Sequence, residues 1–87
     1  MMSNDSSNIV KLQKRLQEIA MDGEEIDGVK LAEAALQDGL SPLDFFQEVI
    51  SPVVKEIGDQ FARLEIFLPE LMKAGVVVKA IQSEVLA

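Results

Sequence analysis

The chain has 87 residues, 48% apolar and 26% charged, which fits one small globular domain and excludes a disordered or collagen-like polypeptide. Eight Lys and Arg against fifteen Asp and Glu leave a net charge of −7, so nucleic acid and anionic membrane are excluded as partners. Neither Cys nor His occurs, which excludes disulfides, thiolate nucleophiles, Cys-ligated metal centres and the commonest general base.

Residues 1–7 are small and polar and are read as a disordered tail, followed by one helical domain over residues 8–87. They carry no basic region with an apolar run behind it, as a secretory signal would. No apolar stretch approaches the roughly eighteen residues that span a bilayer, and a cytoplasmic location is expected. Asp5, Ser6 and Ser7 are candidate caps for a first helix whose stripe is Ile9, Leu12, Leu16 and Ile19. Asp22-Gly23 ends that helix, with Gly23 free to take the left-handed conformation.

A second helix is expected from Glu24 or Asp27 to Asp38, with Val29, Ala32, Ala35 and Leu36 inward and Gly39 closing it. The third start is the clearest, because Ser41-Pro42-Leu43-Asp44 sets a capping hydroxyl, a proline and an acid in order. Phe46, Ile50, Val53, Ile57 and Phe61 then form a stripe, interrupted by Pro52, where a kink or a restart at Ser51 is expected. Leu68 precedes Pro69 and should be extended, so that Pro69-Glu70 opens a last helix. Its stripe of Leu71, Ala74, Val78, Ile81 and Val85 steps by three and four, and Gly75 is expected to admit a neighbouring backbone. The pattern predicts an all-α fold, a four- to five-helix antiparallel bundle.

Few motifs carry chemistry. Gly23 to Lys30 superficially resembles a phosphate loop, but its Lys is misplaced, no Ser or Thr follows, and three acids would repel phosphate. A calcium loop from Asp22 would put Ile26 at a ligand position and Asp27 where Gly is needed. Both readings yield to a solvated acidic turn. Glu65 and Glu70 flank an apolar segment, and Glu70 is better placed to stabilise a helix N-terminus than to act as an acid or base. The informative segment is Phe61 to Leu71. Ile66 and Phe67 are expected in the core, whereas Phe61 and Leu68 are balanced between core and an outward patch at one pole of the bundle.

Three segments carry a resemblance: Gly39-Leu40-Ser41-Pro42-Leu43, Ile57-Gly58-Asp59-Gln60-Phe61 and Glu65-Ile66-Phe67-Leu68-Pro69-Glu70-Leu71. Together they resemble the N-terminal helical domain of cobalamin-binding corrinoid proteins, a domain that also caps cobalamin in cobalamin-dependent methionine synthase. Leu64 stands where that pattern has Gly. The resemblance implies a four-helix bundle that precedes a Rossmann-like corrinoid-binding domain. It also implies a component that is not an enzyme by itself, in a system where a substrate-specific methyltransferase loads a methyl group onto cobalamin. Phe61, Leu68 and Leu71 match the positions that cover the upper, methyl-bearing face of the corrin.

The lower-face His of an Asp-x-His-x-x-Gly motif has no counterpart in a chain without His. Cobalamin is therefore expected only together with the corrinoid-binding domain, and no cofactor is expected for this chain alone. The chain reads as a piece of a longer corrinoid protein or as a stand-alone cap. The competing reading is a helical interaction module without cofactor, which uses the Phe61–Leu71 pole to form a homodimer or to dock a partner.

Overall fold

The computed structural model describes residues 6–86, with side chains from residue 8 onward. Helix α1 is Ser6–Asp22 and α2 is Glu25–Gln37. The third rod is a short α3, Pro42–Phe45, a π-helical segment, Phe46–Ile50, and α4, Ser51–Ala62. The fourth is α5, Leu68–Ile81, extended by π-helical residues Gln82–Leu86. The described residues contain no strand, so the fold is the expected all-α bundle, with a Cα radius of gyration of 12.5 Å. No helix among them is long and apolar enough to cross a membrane. Ser6 and Ser7 are helical, while Asp5 and the rest of the expected 1–7 tail lie outside the described residues.

Local chemistry sets the helix ends. The Ser41 hydroxyl accepts from the Asp44 N–H at 3.1 Å, with Pro42 first in α3, as the sequence foretells. At the start of α2 the Asp27 carboxylate accepts from the Glu24 N–H at 2.9 Å, so one acid of the α1–α2 turn caps a helix. Gly39 closes α2 at φ +108°, and the only other described residue with positive φ is Leu64. Gly23, free to take the left-handed conformation, does not use it, and its N–H bonds to Ile19 O at 2.8 Å.

The core is one cluster drawn from every rod. Leu16 and Ile19 of α1, Ala32 and Ala35 of α2, Val53 and Ile57 of α4, and Ala74, Val77 and Ile81 of α5 are all buried. Two stripes are phased differently from expectation. In the third rod Phe45 and Val49 are fully buried, whereas Phe46 is exposed. In α5 Val77 is buried and Val78 only half-buried. Gly75 approaches no neighbour and faces an open groove lined by Val54, Ile57 and Val78. The close helix approach occurs at Gly28 of α2 instead, against Val77 and Ile81 of α5.

The interruption at Pro52 takes the form of the π segment, in which the Ser51 N–H bonds to Phe46 O. Pro52 lacks the N–H that a regular helix would direct at the Glu48 carbonyl. Gln13 of α1 supplies the donor, its Nε2 lying 2.7 Å from Glu48 O. Gln13→Ala should therefore lower stability by about 1 kcal/mol in urea unfolding, the worth of one hydrogen bond to a carbonyl that Pro52 cannot serve. A cost indistinguishable from zero would show that water replaces the amide there.

Candidate functional site

The turn between α4 and α5 is built by backbone hydrogen bonds. The Leu64 N–H bonds to Phe61 O at 3.1 Å, and the Glu65 N–H bonds to Gln60 O at 2.8 Å. That paired pattern closes a helix around a left-handed residue, here Leu64 at φ 65°. Ile66 is buried and pins the turn to the core, as expected. Phe67 follows in the extended conformation at φ −119°, ψ 177°, and α5 starts at Leu68. The extended residue is thus Phe67 and not Leu68. Pro69 falls at the second helical position, where its missing N–H costs nothing because the first turn has no partner to offer. The Glu70 carboxylate accepts from the Phe67 N–H at 2.8 Å, which confirms its capping role.

The consequence is a cluster of outward apolar side chains. Phe67, expected in the core, is 60% exposed; Leu68 is 56% exposed and Phe61 38%. Leu71 is half-buried, one edge packed on the core cluster. The structure thus places Phe61, Leu68 and Leu71 at one end of the bundle with free surface on each. Sequence reasoning missed three further exposed residues of this segment, Leu64, Phe67 and Met72. Met72 lies four residues after Leu68, hence on the same helix face, and that spacing was the available signal.

Charge around the turn is internally matched. Arg63 Nε lies 2.9 Å from Glu65 Oε2, and its Nη2 lies 3.2 Å from Glu65 Oε1 and 3.3 Å from Glu56 Oε2. The Arg63 hydrogen bond holds the Glu65 carboxyl below its usual range, and Glu65 in turn raises the guanidinium. No group of three or more Asp or Glu capable of holding a metal occurs among the described residues. The exposed side chains of this segment are uncharged and apolar, a chemistry that suits contact with an apolar partner surface.

Comparison with known proteins places the chain in a family. The B12 binding domain family matches residues 12–84. Monomethylamine corrinoid protein 1 of Methanosarcina mazei is 50% identical over 46 residues, which is 53% of this chain and 21% of that protein. Its namesake from Methanosarcina acetivorans is 43% identical over 51 residues, 59% of this chain and 23% of the relative. The chain therefore spans between 21% and 23% of the length of these relatives. No solved structure matches it significantly. With helices throughout and a match over 12–84, the chain belongs to the B12 binding domain family, the helical cap of corrinoid proteins.

Proposed function

We propose that the α4–α5 turn lies over the upper face of cobalamin in a corrinoid protein and that Phe61, Leu68 and Leu71 are its contact residues. One observation carries the reading: Phe61, Leu64, Phe67 and Leu68 stand exposed on and beside one turn whose Ile66 is buried. When bound, cobalamin supplies a cobalt centre that carries a methyl group from donor to acceptor. The side chains of this chain exclude water from that centre and offer it no strong competing ligand. They contribute no acid, base or nucleophile, so the domain acts as a cover and the reaction belongs to its partners.

Those partners are a Rossmann-like corrinoid-binding domain and a methyltransferase that loads the methyl group. The names of the relatives favour monomethylamine as the donor. The cover works on its own protein's cofactor, with residues 8–87 as one unit.

The test is a chimera in which this chain replaces the helical cap of the Methanosarcina mazei protein, with which it shares 50% identity over 46 residues. Loaded with methylcobalamin, it should show photolysis about threefold faster or more after Phe61→Ala or Leu68→Ala, since an apolar shell controls access to a metal centre. Both side chains have exposed surface in the isolated domain, so each change should cost less than about 1.5 kcal/mol of stability. Unchanged photolysis in both variants would remove the assignment. Self-association of the 87-residue chain that these variants abolish, with photolysis unaffected, would favour the interaction module instead.

A further inference from the structure

We propose that Leu64 is a further contact of the cap face, kept in an unfavourable backbone conformation because its side chain extends the apolar surface toward the corrin; this rests on the cap reading above. Two helix ends in this chain use the same closing pattern. At the end of α2 the Gly39 N–H bonds to Leu36 O at 3.1 Å, and the Leu40 N–H bonds to Ala35 O at 3.1 Å. At the end of α4 the same two bonds run from Leu64 to Phe61 and from Glu65 to Gln60. Both turns need a residue with positive φ, which is Gly39 at 108° in one and Leu64 at 65° in the other. Gly reaches that region without the clash that Cβ introduces, and Leu does not. The first turn therefore follows the conformational preference and the second opposes it.

The fold gains little from Leu64 in return. Its side chain is 74% exposed, the highest value among the exposed large apolar residues. The turn is already pinned by Ile66 and braced by the Arg63–Glu65 pair. An unfavourable conformation that ends in an exposed Leu, between Phe61 and Phe67 in sequence, is accounted for by something outside the domain. The corrin is the partner the surroundings fit. Arg63 and Glu65, the charges on either side of Leu64, are paired with each other, and Leu64 offers an uncharged side chain on the turn that joins Phe61 to Leu68.

Two measurements with opposite signs test this. In the 87-residue chain Leu64→Gly should raise Tm by about 5 °C, because the positive φ is relieved in a domain of this size. In the methylcobalamin-loaded chimera the same change should speed photolysis about threefold, as the apolar cover shrinks. Leu64→Asn, which tolerates the left-handed region but is polar, should do both as well. A rise in Tm with unchanged photolysis would show that Leu64 touches no corrin. A fall in Tm would show that its conformation is not unfavourable, which equally overturns the proposal. If Phe61→Ala and Leu68→Ala speed photolysis while Leu64→Gly does not, only this inference fails. If none of the three does, the cap reading fails with it.

Discussion

Phe45→Ala should cost about 3–5 kcal/mol in urea or thermal unfolding, while Phe46→Ala, one residue later, should cost less than about 1.5 kcal/mol. Phe45 is the largest fully buried side chain in the described core, and Phe46 is 38% exposed. A domain of this length has a total stability of about 4–13 kcal/mol, so the first variant removes a large share of it and the second a small one. The reason lies in the π segment. A π turn takes up one more residue than an α turn, so the helix face upstream of Phe46–Ile50 is displaced by about one position relative to the face downstream. Counting back from Ile57 and Val53 in α-helical steps reaches Phe46; the extra residue hands the inward position to Phe45. Equal costs for the two variants would mean that the third rod is regular and that the π segment is absent in solution.

Residues whose effect is local were legible. Ser41, Pro42, Asp44, Gly39 and Glu70 act within four residues of themselves, through caps and turns, and each does in the structure what its position announces. Residues whose role depends on a distant partner were not. Val76-Val77-Val78 gives three equivalent starting points for a stripe, and only packing against α1 and α2 selects Val77. Gly75 and Gly28 look alike as helical glycines, yet one faces an open groove and the other a neighbouring helix. Pro69 forbids only an N–H that the first turn does not need, so the break could fall at Phe67 as well as at Leu68. That one-residue choice turns Phe67 outward. Phe61, Leu68 and Leu71, the proposed cap contacts, were reached through family resemblance, and the structure adds that the first two are exposed and the third half-buried.

Gly28→Val should cost about 3 kcal/mol and Gly28→Ala about 1 kcal/mol, although both replace a helical glycine with a better helix former. A Cβ on Gly28 would sit 2.7 Å from Val77 Cγ1 and 3.2 Å from Ile81 Cδ1. The Ile81 contact is the longer one, at the end of its side chain, and needs a shift of only a few tenths of an ångström. Val77 cannot give way, because its branched side chain has one favoured rotamer in a helix and is 1% exposed. Ala gains about 1 kcal/mol of helix propensity and loses about 2 kcal/mol to overpacking, and Val adds two more methyl groups in the same place. The diagnostic is the double-mutant cycle. With Val77→Ala already present, Gly28→Ala should become favourable by up to about 1 kcal/mol, a coupling of about 2 kcal/mol between two residues 49 positions apart in sequence. Stabilisation by Gly28→Ala in the parent chain would mean that α2 does not approach α5 at this point. The cycle also bears on the cap. The helix that begins with Leu68 and carries Leu71 and Met72 is the one that Gly28 lets α2 approach, and Lys73 of the same helix donates to Met21 O at 3.1 Å across the end of α1. Forcing α2 away from α5 should therefore disturb the exposed face from its rear. Gly28→Val should speed methylcobalamin photolysis in the chimera even though Gly28 is nowhere near that face in sequence, and the Gly28→Ala/Val77→Ala pair should leave it unchanged.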